Sequence, residues 1–205
     1  MMQRLRYFMD LDKEEEWLNE KAKEGNVLYQ KSFFYHFKAT TEKDPTVKLD
    51  YRTFKHREDF EDYIALFEDS GWKHIAGSKR SGVQYFQRVS NEATGDIFSD
   101  SHSKAERYKR YAQTSASLLF TYFILLIGLM SADVLHLQEM LQPKSLYYTP
   151  GLWEKEGADF WRAFLFETPY AFFRGFAWLL FPIAIVIFFL SATISYIKYE
   201  KLVNQ

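Results

Sequence analysis

This sequence predicts an α+β domain, a β-α-β-β unit built twice, followed by a two-helix transmembrane hairpin. Three observations carry that reading. First, Ala112 to Asp133 has no charged side chain before Asp133, and Gly175 to Tyr196 has none at all. About 20 such residues cross the ~30 Å hydrocarbon core of a bilayer. Second, residues 1–95 alternate short strand-like runs with amphipathic helical stripes. Third, a shift of 46 residues lays Arg6 on Arg52, Phe8 on Phe54, Trp17 on Tyr63, Leu18 on Ile64 and Gly25 on Gly71, the self-similarity expected of two copies of one supersecondary unit. Neither helix can bury its stripe alone. The copies are therefore expected to form an antiparallel sheet with both helices on one face.

The elements follow in order. Residues 4–8 (RLRYF) alternate as a short strand. Asp10 to Glu24 is helical: Asp10 or Asp12 can cap it, acids crowd its first turn and Gly25 follows its end. Leu11, Trp17, Leu18 and Ala22 form its apolar stripe. Two strand-like runs start at Val27 and Phe33, with space for little more than a tight turn between them. The pattern returns with a strand at Val47 to Phe54, a helix at Arg57 to Ser70 closed by Gly71, and two further strands, WKHIAG and GVQYFQRV. Asn91 to Ser101 is a polar linker. Ser103 and Glu106 fit a capping box, so a helix is expected from Lys104 into the first span.

Beyond the first span lies a polar loop, 134–174. Within it, Gly157 to Arg174 has helical spacing of aromatic residues interrupted by Asp159, Arg162 and Glu167, and reads as a helix lying in the membrane interface. The alternative is that it packs on the rest of the loop. The second span, 175–197, contains Pro182, which a membrane helix tolerates. Six basic residues flank the outer ends of the spans: Lys104, Arg107, Lys109, Arg110, Lys198 and Lys201. The loop has Lys144, Lys155, Arg162 and Arg174. The positive-inside rule then places the protein in the cell membrane with both termini cytoplasmic. The parts are a domain over 1–95, a linker and juxtamembrane helix over 96–111, spans at 112–133 and 175–197, and a tail over 198–205. Arg107, Lys109, Arg110, Trp161, Phe164, Trp178 and Lys198 are the candidate membrane-interface residues.

Composition narrows function. Residues 1–95 carry 16 Lys and Arg against 17 Asp and Glu, which argues against a nucleic-acid surface. The absence of cysteine excludes disulfides, thiolate metal sites and cysteine nucleophiles. No Gly-rich phosphate loop, His-Glu-x-x-His helix or Gly-x-Ser-x-Gly turn is present. The five histidines (His36, His56, His74, His102 and His136) fall on separate elements; His36 and His74 could converge in the fold, although exposed sheet histidines are the commoner case. The acids at Glu14 to Glu16 and Glu58 to Asp62 suit helix starts. No metal, cofactor or catalytic residue is assigned, and the chain is not expected to be an enzyme. Neither span holds an ionisable residue of the kind that marks an ion path. Small residues such as Ser115, Gly128, Ser191 and Ser195 permit oligomers through the spans.

The aromatic strands are unusually rich. Phe34, Tyr35, Phe37, Tyr85 and Phe86 are either core or a groove between the copies for an apolar ligand or a protein partner. A packed core there would shift attention to the loop and spans, and to a structural subunit of a membrane complex.

One combination of motifs points to a family. Glu16-Trp17-Leu18-Asn19-Glu20 followed by Gly25, Tyr63-Ile64 leading to Gly71-Trp72, and Gln84-Tyr85-Phe86 are its first part. Ile97-Phe98-Ser99-Asp100, Ser103-Lys104 and Glu106-Arg107-Tyr108 complete it. Over roughly residues 4–111 the chain resembles the bacterial domain of unknown function 2812. Asn26-Val27 departs from that family's Gly-Trp tendency after the first glycine; Gly71-Trp72 keeps it. The resemblance implies a cytoplasmic domain tethered to membrane helices, in settings beside PadR-like repressors that suggest envelope-stress or drug responses. It implies no activity, cofactor or catalytic residue. The β-α-β-β order is also similar to that of GyrI-like ligand-binding domains, an analogy of topology alone.

Thr40→Cys and Ser145→Cys, each the only thiol in the chain, test the orientation. An impermeant thiol reagent on intact cells is expected to label position 145 and spare position 40; the reverse pattern inverts the topology.

Overall fold

The computed structural model describes residues 2–40, 45–89, 95–132, 134 and 142–204. Residues 91–94 of the polar linker, Asp133, His136 and the side chain of Trp178 lie outside the described residues. The order is β1 (Met2–Arg4), α1 (Leu11–Lys23), β2 (Asn26–Lys31), β3 (Tyr35–Ala39), β4 (Val47–Tyr51), α2 (Arg57–Asp69), β5 (Trp72–Ala76), β6 (Val83–Arg88), α3 (Ser101–Ser131) and α4 (Gly157–Val203). The chain divides into two compact units, 1–115 with 190–205, and 116–189.

In the first unit the strands form two three-stranded antiparallel sheets, ordered β1-β3-β2 and β4-β6-β5. The fold is α+β, as predicted, but with two sheets where the sequence suggested one. β2 and β5 are neighbours without a shared ladder. Each carries a register break, between Leu28 and Gln30 and between His74 and Ala76, and such a bulge bends a strand and disrupts pairing.

The helices also depart from the one-face expectation. Successive strand residues face opposite sides, and β6 uses both. Tyr85 joins Leu49 and Val47 in a core with Trp17 and Leu18 of α1, Val27 and Leu28 of β2, and Tyr35 and Phe37 of β3. Phe86 joins Trp72 and Tyr63 in a second core under α2, with the Phe67 ring 4.4 Å away. Thus α1 and α2 lie on opposite faces of the second sheet. The reason is aromatic content on both faces of β6, where a one-sided sheet would have alternated with polar residues.

Local signals place the helices. Asp10 caps α1, its carboxylate accepting from the Asp12 amide at 3.0 Å. Helix α3 starts three residues earlier than the capping box suggested, because Asp100 accepts from the Ser103 amide at 2.7 Å. Gly25 and Gly71 follow α1 and α2 with the same φ of 82°.

The second unit holds residues 116–189 of α3, α4 and the segment between them. Helix α4 runs unbroken for 47 residues through Pro169 and Pro182, roughly 70 Å at 1.5 Å per residue. Gly157 to Arg174 is therefore the start of this helix rather than a helix of its own. Loop residues strap onto it. Glu167 accepts from the backbone amides of Tyr148 and Thr149, and Arg174 donates to the Leu146 carbonyl and to Glu167. The Tyr147 ring stacks on Phe164 at 5.3 Å. Glu167, one of the charges that interrupt the apolar pattern, and Arg174 at the end of the segment are thereby satisfied.

Gly82 tests the packing at the turn into β6. Its φ is 80°, and a Cβ there would sit 2.6 Å from the Tyr51 ring. Gly82→Ala is expected to lower stability by about 1–3 kcal/mol in thermal unfolding of the purified chain. Gly95→Ala, with nothing within 4 Å, is expected to change it by less than about 0.5 kcal/mol.

Candidate functional site

β4 is an edge strand. Its outward amides and carbonyls have no strand partner, and leaving such groups unsatisfied in the interior costs about 1–3 kcal/mol each. Side chains take the place of the missing strand. Asn19 of α1 acts as a backbone mimic: its Nδ2 donates to the Val47 carbonyl at 2.9 Å and its Oδ1 accepts from the Val47 amide at 2.8 Å. One turn earlier, Glu15 accepts from the Leu49 amide at 3.1 Å. From α3, Arg107 donates to the Leu49 carbonyl at 2.7 Å and Arg110 to the Tyr51 carbonyl at 2.6 Å. Arg107 and Arg110 are three residues apart, so one helix face presents both.

The same groups form an ion-pair network. Arg107 is fully buried and pairs with Asp12 and Glu15. Lys198, near the end of α4, bonds Asp10 at 2.5 Å and Asp12 at 2.7 Å. Lys48 pairs with Glu15 at 2.8 Å. Burial pushes the Asp12 carboxyl up. The hydrogen bonds of Lys198 and Tyr108 and the charges of Arg107 and Lys198 outweigh it, and the pKa is lowered. Leu11, Tyr51 and Tyr108 pack beneath, joined by Tyr111, Tyr199 and Leu202. The first turn of α1 thus grips the start of α3 and the end of α4 together.

A second polar knot lies inside the core. Tyr35 and Tyr85, from different sheets, both donate to the same Glu14 oxygen, at 2.7 and 2.5 Å. Burial raises the Glu14 pKa despite these bonds.

The sequence-derived groove residues fall in three places. Tyr35, Phe37 and Tyr85 come together, at most 3% exposed, packed on Trp17. Phe86 faces the opposite side of its sheet. Phe34 is exposed beside Phe33 in the turn before β3. The interface candidates also separate. Arg107, Arg110 and Lys198 hold the network, and Lys109 bonds Glu106 at 3.0 Å. Phe164 lies under the loop strap, whereas Trp161 is exposed. The two strand histidines have separate partners: His36 meets Ser32, and His74 donates to the Gln84 side-chain oxygen at 3.0 Å. Among the described residues, no group of three or more His, Asp or Glu side chains is arranged to hold a metal ion.

Asn19, Glu15 and Asp50 are the residues that the sequence did not reveal. Glu14 and Glu15 sit beside Leu11 and Leu18 on the inward side of α1, and acids within an apolar stripe were the available signal. Buried Asp50 needs its partners to be seen: Tyr63 donates to it at 2.9 Å, as does Arg110 at 2.9 Å.

Residues 10–121 match the model of a family described as proteins of unknown function, DUF2812. The chain belongs to that family. The match begins at Asp10, the cap of α1, and ends within α3. It therefore takes in the acids of α1 with Arg107 and Arg110, and stops short of Lys198. No curated protein and no solved structure matches the chain. In this member of DUF2812, α3 and α4 are each long and apolar enough to cross a membrane.

Glu14→Gln tests the buried knot. The raised pKa means that the folded state favours neutral Glu14, so ionisation works against the fold as pH rises from the unfolded pKa through the folded one. A permanently neutral Gln escapes that cost. The variant is expected to gain thermal stability over the parent at pH 8, and to gain little or nothing at pH 4. A larger gain at pH 4 would show that the tyrosines hold the carboxylate ionised.

Proposed function

We propose that the protein is an integral membrane protein with spans at 112–133 and 175–197 and both termini cytoplasmic. Residues 1–95 are then a non-catalytic binding domain, made of two copies of one unit and held, with the juxtamembrane helix over 96–111, against the inner ends of both spans. The observation that carries this reading is the convergence of Arg107 and Lys198 on the acids of α1. Arg107 precedes the first predicted span and Lys198 follows the second. A domain joined to both is placed to exchange its state with the helices, which is a regulatory arrangement. The duplication is supported by α1 and α2, whose bounds repeat 46 residues apart, and by the matching glycines and bulges.

Tyr35, Phe37 and Tyr85 are assigned to the core, so a protein partner is favoured over an apolar ligand between the copies. A specific observation also favours the second reading, a subunit of a membrane complex acting outside the domain. The loop strap covers one side of α4 and leaves Trp161, Leu165, Phe166, Tyr170 and Phe173 exposed, more apolar surface than a solvated helix normally carries.

Two measurements test the proposal. Membranes washed in alkaline carbonate are expected to retain the chain; its release would end the membrane reading. Spin labels at Glu20→Cys and Lys201→Cys, in a chain with no other thiol, report the clamp in lipid nanodiscs. A narrow distance distribution is expected, broadened by Lys198→Gln and kept by Lys198→Arg. A broad distribution in the parent would overturn the coupling.

A further inference from the structure

A cleft of about 370 Å³ lies between α2 and the residues leading into α3, floored by β4. Its lining combines apolar side chains, Leu66, Phe67, Ile97 and Phe98, with Arg52, His102 and Arg110. The acids in the cleft are already engaged. Asp50 takes bonds from Tyr63, Arg110 and the Tyr51 amide, and Glu106 takes one from Lys109. Arg52 differs. Its guanidinium lies over the rings of Phe54 and Tyr63 at 5.5 and 5.6 Å, and among the described residues it makes no ion pair. Aromatic faces hold a guanidinium in place by cation–π attraction while leaving its N–H fork open.

The first half of the domain provides an internal comparison. Arg6 stands over Phe8 and Trp17 at 4.8 and 5.3 Å, beside a cavity of about 330 Å³. There the lining adds Lys13 but also Glu16 and Glu20, so its charges balance. In the Arg52 cleft the uncommitted charge is positive.

We propose that the Arg52 cleft binds a small amphiphilic monoanion, a carboxylate carried on an aromatic or short alkyl body. The carboxylate meets the Arg52 fork, which suits its two oxygens, and the body lies on Phe67, Ile97 and Phe98. A volume in this range suits a small organic ligand. Arg110, at the rim, is also the side chain that ties α3 to Asp50 and Tyr51, so an occupant reaches the contact that docks α3. This site goes beyond the proposed function and does not depend on the spans crossing a membrane.

The test is ¹⁹F NMR of the full chain in nanodiscs, titrated with 4-(trifluoromethyl)benzoate, with empty nanodiscs subtracted. The neutral 4-(trifluoromethyl)benzyl alcohol serves as the isosteric control. The benzoate is expected to bind saturably and the alcohol at least about tenfold more weakly, the scale on which charge-assisted pairing acts. Arg52→Gln is expected to remove the preference and Arg6→Gln to leave it intact. Leu66→Glu, at an exposed rim position, is expected to weaken benzoate binding without touching the core, which keeps the test sound should Arg52→Gln perturb the fold. Non-saturable binding, equal affinity for the alcohol, or an equal loss in Arg6→Gln would each overturn the site.

Discussion

The free edge of β4 sets the terms for everything around it. Five backbone groups on that edge, from Val47, Leu49 and Tyr51, find side-chain partners on α1 and α3. An exposed edge invites another strand, and proteins cover such edges with helices, loops or charge. Here one amide and one carboxylate from α1, with two guanidinium groups from α3, replace the strand. The position of α3 is therefore fixed by β-sheet chemistry rather than by apolar contact alone.

Charge follows from that solution. Placing Arg107 out of water would be costly without compensation, and a buried ion pair recovers its desolvation only when its geometry is good and its remaining protons are bonded. Asp12 and Glu15 supply the charge and the Leu49 carbonyl takes a further proton, while the buried Nε of Arg107 is left without a hydrogen-bond partner among the described residues. Arginine suits the position because its fork serves a carbonyl and two carboxylates at once; a lysine presents a compact point charge on a flexible stem. Lys198 then offsets the acids on the other side, with Asp10 and Asp12 shared between the helix cap and the clamp.

Much of this fold is written in local signals. The cap of α1, the glycines that close α1 and α2 and the two apolar helices are each set by a few neighbouring residues, and these were legible in the sequence. The division into two sheets was not, because it depends on where bulges fall in β2 and β5, and a bulge has no fixed sequence mark. Tyr85 and Phe86 looked like one aromatic surface, yet adjacent strand residues must part to opposite faces. Arg107 read as a juxtamembrane charge from its neighbours Lys109 and Arg110; only the fold brings the β4 carbonyls to it. Gly157 to Arg174 read as interrupted by Asp159, Arg162 and Glu167, and for Glu167 only the fold shows the backbone amides of Tyr148 and Thr149 that satisfy it.

The pairing of Asp12 with Lys198 joins residues separated by 186 positions, and this has a consequence for biosynthesis. The acidic turn leaves the ribosome well before one of its cations has been made. A nascent chain that already contains β1 to β6 still lacks Arg107, Arg110 and Lys198. Residues 1–95 alone leave the edge of β4 without its α3 partners, and the acids of α1 without Arg107 and Lys198. Completion of the amino-terminal domain therefore waits on side chains from α3 and α4.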